Sequence, residues 1–96
     1  MKQIFMQTEL SVAFLREGKR FVAYAPSLDL STSGKSFAEA KKRFEEIAEI
    51  FFEEIMKKGT VAEVLGGLGW EKGGQRWMPP VVVAHESQSV RVPAIA

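Results

Sequence analysis

The stretch from Ser36 to Lys58, SFAEAKKRFEEIAEIFFEEIMKK, carries its own helix start and stop signals and decides how the rest of the chain must fold. Ser36 stands as an N-cap with Glu39 three residues on, the capping-box spacing that satisfies two otherwise orphan amide donors reciprocally. Phe37, Ala40, Phe44, Ile47, Ala48, Phe51 and Ile55 recur at steps of three and four. At about 100° per residue they form one apolar stripe. Lys57 and Lys58 sit where the helix dipole favours cations, and Gly59 can take the left-handed conformation that closes a helix. Over the last two turns the stripe widens, with Ile50 off one side and Phe52 and Met56 off the other. Two readings follow. Either the C-terminal segment folds back over this surface, or Phe52 and Met56, joined by Val81 and Val83, form a subunit interface, since large apolar patches mark association sites.

What covers the stripe is sheet. Ile4 to Leu15 reads as a strand with Leu10, Val12 and Phe14 on one face. Arg16-Glu17-Gly18-Lys19 is a tight turn in which Gly18 can adopt positive φ, and Arg20 to Ala25 returns as the antiparallel partner. Pro26-Ser27 interrupts the ladder because proline has no amide donor. Leu28 to Ser33 is a short third strand, and Gly34-Lys35 turns into the helix. Beyond Gly59, Thr60 and Glu63 repeat the capping-box spacing ahead of Val61, Val64 and Leu65, and Gly66, Gly67 and Gly69 end that short helix. Trp70 and Trp77 flank the polar turn EKGGQR, which predicts a small hairpin with the indoles close together. After Pro79-Pro80, Val81 to Val92 reads as a further strand. The fold class is α+β: an antiparallel β-β-β-α core with the long helix across one face, a short second helix and a C-terminal strand. It is read as one domain over residues 1–96, with the core at 4–58 and a C-terminal extension at 59–96.

The composition, 46% hydrophobic and 26% charged with a net charge of +1, is that of an ordinary globular protein, with no strong field for nucleic acid or membrane. No cysteine is present, which removes disulfides, thiolate nucleophiles and cysteine zinc sites. No sustained apolar run opens the chain or approaches a membrane span, so a cytoplasmic location is expected. His85 is the only histidine; Ser87 and Ser89 are neighbours on the same extended run, with no Gly-x-Ser-x-Gly elbow to strain a nucleophile. The helical glutamates lie off the apolar stripe among Lys41, Lys42 and Arg43, and Glu39–Arg43, Glu53–Lys57 and Glu54–Lys58 have the favourable i,i+4 order. They read as a solvated face. Arg16, Lys19 and Arg20 gather at the first hairpin beside Phe21 and Tyr24, a pattern that can hold phosphates and stack bases. By parity Phe21 and Tyr24 point to opposite faces, so at least one belongs to the core.

The run from Phe21 to Glu54, FVAYAPSLDLSTSGKSFAEAKKRFEEIAEIFFEE, resembles the HicB family of type II toxin–antitoxin antitoxins. The resemblance rests on an aromatic strand, Phe21 to Tyr24, running into the turn Ala25-Pro26-Ser27-Leu28. A short strand then ends in a polar-Gly-polar turn, and Ser36-Phe37-Ala38-Glu39-Ala40 opens a capped helix. TVAEVLGGLGW at 60–70 and WMPP at 77–80 are also similar to the short, single-domain members. The resemblance implies a partial RNase-H-like core without that fold's metal carboxylates, no cofactor and self-association as a homodimer or higher oligomer. Its implied partner is a HicA-type mRNA interferase, neutralised by steric occlusion. It places the partner surface at Tyr24, Pro26, Leu28 and Asp29. The family commonly has Pro-Gly where this chain has Asp29-Leu30, and VVVAHESQSVRVPAIA has no helical period, so a helix-turn-helix or ribbon-helix-helix reader is not expected after Pro80. Two other classes stay in view. One is a nucleic-acid-binding regulator using Arg16, Lys19 and Arg20. The other is a degenerate RNase-H-like nuclease using Asp29, a helix glutamate and magnesium.

Overall fold

The computed structural model describes residues 8–94. The element order is β1 (Ala13–Glu17), β2 (Arg20–Ala25), β3 (Leu30–Gly34), α1 (Phe37–Lys57), α2 (Val61–Gly67), β4 (Glu71–Gly73) and β5 (Arg76–Met78). The first three strands form an antiparallel sheet in the order β1-β2-β3, and β4 and β5 form a separate two-stranded ribbon. The class is α+β, with α1 packed on one face of the larger sheet.

Two of the three hairpins among the described residues turn on a glycine. Gly18 (φ 60°) and Gly74 (φ 62°) stand first in two-residue loops between Glu17 and Arg20 and between Gly73 and Arg76. Lys19 and Gln75 keep ordinary negative φ, so one left-handed residue per turn suffices, the pattern of a II′ hairpin. The β1 ladder is shorter than the expected strand. It begins at Ala13; residues 8–12 make no ladder, and residues 4–7 of the expected strand lie outside the described residues. The third strand begins two residues late, at Leu30, because Leu28 is taken by the turn. There the Leu28 amide donates to the Ala25 carbonyl and the Asp29 amide to the Pro26 carbonyl, each at 3.2 Å. Asp29 leaves that turn at φ 49°, a left-handed conformation that Asp tolerates better than most residues. It occupies the conformation a glycine would take there.

Helix α1 runs as its signals predict, with one correction at its cap. The Glu39 amide donates to Ser36 Oγ at 3.1 Å, but the Glu39 carboxylate accepts from the Lys35 amide at 3.0 Å rather than from Ser36. The box is stretched by one residue. This amide bond holds the Glu39 carboxyl below its usual range, against an opposing desolvation and with lesser help from the Arg43, Lys35 and Arg20 cations. A depressed carboxyl contributes stability that is complete above its unfolded value, about 4.3, and is lost as pH falls through the lower folded value. Glu39→Gln is therefore expected to flatten the fall of the urea midpoint between about pH 5 and pH 3. Parallel curves for the two proteins would remove this role.

At its other end α1 closes in a Schellman motif. The Gly59 amide (φ 68°) donates to the Met56 carbonyl at 3.2 Å and the Thr60 amide to the Ile55 carbonyl at 2.9 Å. Thr60 does not act as the second capping box requires. Its hydroxyl donates to Ile55 O at 3.4 Å, satisfying the end of α1, and makes no cap bond to α2. Of the three expected i,i+4 ion pairs, Glu39–Arg43 (3.5 Å) and Glu54–Lys58 (3.3 Å) close and Glu53–Lys57 does not.

The core has two centres. Ala23, Ala25, Ala40 and Phe44 form the first, with Phe14, Phe21, Leu30, Ile47 and Ala48 against them. The small residues bring helix and sheet close: a Cβ on Gly34 would stand 2.7 Å from the Ala40 amide nitrogen. Leu28, Ile55, Leu65 and Trp70 form the second, flanked by Phe51, Phe52, Val61, Val64 and Trp77. Trp70 packs on Phe52 edge-to-face at 6.0 Å and donates its indole N–H to the Ser27 carbonyl at 2.8 Å. The widened helix arc is thus divided. Phe52 is covered by the returning chain, whereas Ile50 (57% exposed) and Met56 (70% exposed) stay in solvent.

The C-terminal strand expected at Val81 to Val92 is absent: residues 79–94 join no ladder, and His85 is exposed on an irregular segment. Its valine alternation suits a strand, but among the described residues no strand pairs with it. No helix among the described residues is long and apolar enough to cross a membrane.

Candidate binding surface on the open face of the sheet

Because α1 covers only one face, the register defines what the other presents. Ala23 and Ala25 point into the core, so Arg20, Val22 and Tyr24 point away from it. Cross-strand pairing sets Glu17, Leu15 and Ala13 beside them on one flank and Ser33 and Ser31 on the other. The result is a face with an apolar centre and a polar rim. Leu15 is 48% exposed, and Val22 and Tyr24 are half-buried.

At one end of this face the Pro26–Asp29 turn builds a rigid corner. Tyr24 donates its hydroxyl to Asp29 Oδ1 at 3.2 Å, and this bond, with some desolvation and the Asp29 charge, pushes the phenol above its ordinary value. Pro26 is exposed between them. Behind the turn a groove of about 250 Å³ runs between Ser11, Pro26, Ser27, Leu68 and Pro80–Val82. Ser27 lines it, 7% exposed, and its Oγ has no hydrogen-bond partner among the described residues. A buried hydroxyl left unpaired costs on the order of 1–3 kcal/mol.

The structure redistributes the expected site residues. Tyr24, Pro26 and Asp29 are brought together. Leu28 is not part of the surface; at 3% exposed it anchors the second core centre, because the turn folds it inward. Ser27 joins the corner instead, and no local pattern in PSLD distinguishes a buried serine from an exposed one. Phe52 leaves the expected interface set, packed under Trp70, while Met56, Val81 (82% exposed) and Val83 (94% exposed) remain uncovered.

The basic hairpin does not converge. Arg16 pairs opposite Phe21 and so lies toward the helix face, while Arg20 lies on the open face. Arg20 is also engaged, donating from Nε (3.3 Å) and Nη2 (3.2 Å) to Ser33 Oγ. Lys19 occupies the turn. The carboxylates likewise stay apart. Asp29 and Glu39 stand at opposite ends of β3, separated by roughly 13 Å of strand at 3.3 Å per residue. Two-metal phosphodiester chemistry needs ions about 4 Å apart sharing ligands, which that separation forbids. Among the described residues no three His, Asp or Glu side chains are grouped to hold a metal ion.

Compared with protein-family models, curated proteins and solved structures, the chain matches none, so the surface rests on its own geometry.

Proposed function

We propose that the chain is a HicB-like antitoxin, or a stand-alone relative, that binds a HicA-type mRNA interferase in the cytoplasm and neutralises it by covering its active surface. The observation that carries this reading is the Tyr24–Pro26–Asp29 corner, exposed at Pro26 and Asp29 and closed by the Tyr24–Asp29 hydrogen bond. The corner is held by two turn bonds, the Tyr24–Asp29 bond and the Trp70 indole, so little conformational freedom is lost on docking. Tyrosine is among the residues that dominate interface energies. The protein acts by occlusion, without catalysis or a cofactor of its own, so inhibition is stoichiometric.

The test is suppression of mRNA cleavage by a HicA-type interferase from the same genome. Cleavage is expected to stop near equimolar protein. Tyr24→Ala should weaken inhibition by about 2 kcal/mol, roughly thirtyfold, and Pro26→Glu, at an exposed site, should weaken it without unfolding the protein. Undiminished cleavage in the presence of excess folded protein, or inhibition indifferent to both substitutions, would reject the assignment.

A further inference from the structure

The segment after Pro80 is built as a strand and placed as an arm. Val81 and Val83 share one side of the extended chain, and both are almost fully exposed. Val90 (72% exposed) and Val92 (76% exposed) repeat the exposure further on. Residues 81–94 form no ladder, and at about 3.3 Å per residue such a segment reaches on the order of 45 Å. The molecule records this reach. Its extents are 61 × 29 × 23 Å and its radius of gyration is 16.6 Å, against about 12.5 Å expected for a compact domain of this length. An arm that leaves its own domain in extended form, with aligned valines in water, is matched to a receiving edge elsewhere.

The sheet has two edges, and they differ. β3 is shielded by α1: Arg43 Nη1 donates to the Ser33 carbonyl at 3.0 Å, and Gly34 lies against the helix backbone. The ladder-free side of β1 has no such cover among the described residues, and Leu15 stands beside it, 48% exposed. An unshielded edge strand is a template for another chain. The occupant has to come from a second molecule, because the arm leaves its root in the groove beside Ser11 and Pro26 and runs outward from there.

We infer that two copies of this chain associate by exchanging arms, the Val81–Ala84 segment of each adding a strand to the β1 edge of the other. Val81 and Val83 then continue the apolar centre of the open face next to Leu15 and Val22. Exchange is reciprocal, so one contact is made twice under two-fold symmetry. The Tyr24–Asp29 corner, two strands away, is left open. The inference does not depend on a toxin.

Sedimentation equilibrium of the full chain at high micromolar concentration is expected to give twice the chain mass. Val83→Pro removes an amide donor the added strand needs, at a position that touches nothing in its own domain. It should give the single-chain mass with an unchanged far-UV circular dichroism spectrum. The protein has no cysteine, so Leu15→Cys and Val83→Cys chains of different tag length can be mixed and treated with a short bismaleimide. A covalent pair of unlike chains is expected. A monomeric wild type, a dimer untouched by Val83→Pro, or a dimer that yields no unlike cross-link would each overturn the inference.

Discussion

Replacing Trp70 by alanine is expected to cost about 3–5 kcal/mol, the range for emptying a buried tryptophan site, and to loosen the binding corner as well as the C-terminal extension. Three structural roles converge on this one residue, two of them carried by its side chain. It is 5% exposed in the second core centre, where it covers Phe52. Its amide donates to the Leu65 carbonyl at 2.9 Å, closing α2 in the same Schellman geometry that ends α1. Its indole N–H satisfies the Ser27 carbonyl across a sequence separation of 43 residues. Trp70→Phe keeps most of the packing and orphans only that carbonyl, so a loss of about 1–3 kcal/mol is expected from it. The distinguishing readout is amide exchange at Leu28 and Asp29, whose turn bonds rest on the ring. Both substitutions should accelerate it, alanine more. A cost below about 1 kcal/mol for Trp70→Ala would mean that the extension does not support the turn.

Much of the architecture was legible because it is written in local rules. The Ser36 cap, the stripe through Phe44 and Ile55, the Gly59 stop and the Gly18 hairpin each depend on residues within a few positions of one another. They appear where those rules place them. The parity argument at Phe21 and Tyr24 also holds, since alternation is a property of the strand itself: Phe21 packs on the first core centre and Tyr24 on the open face. Where the reading failed, a distant partner decided. Leu28 looks like a strand residue until Ile55, Leu65 and Trp70 draw it inward. Thr60 has the spacing of a cap for α2, yet the α1 terminus reaches its hydroxyl. Val81 to Val92 has strand periodicity, but a strand exists only with a ladder, and periodicity cannot say where the ladder is.

The candidate site was legible in the same proportion. Tyr24, Pro26 and Asp29 stand within six residues, so their convergence needs only a tight turn. Asp29 supplies the left-handed residue on which that turn depends. Ser27 was missed because the groove it lines is completed by Ser11, Leu68 and Pro80–Val82, all distant from it in sequence. The basic cluster misled for the opposite reason. Arg16 and Arg20 are close in sequence, and antiparallel pairing sends them to opposite faces.

Phe44→Ala is the complementary test, of the first core centre rather than the second. Phe44 sits mid-stripe at 6% exposed, against Ala23, Ala25 and Ala40. The buried neighbours are alanines with no length to spare, while Phe14, Phe21, Leu30 and Ile47 border the centre and can lean into part of the space a lost phenyl ring leaves. The helix is held at its N-terminal end by the contact of Gly34 with the Ala40 backbone. Partial collapse leaves a cost of about 3–5 kcal/mol. Lys42→Ala, two residues away on the exposed face, should change stability by less than about 0.5 kcal/mol. The pair is read by urea melts on the full chain. Equal costs would place the helix at a different rotation on the sheet. A small cost for both would mean that Phe51, Ile55 and Trp70 carry the fold alone, and with them the corner that Tyr24 and Asp29 form.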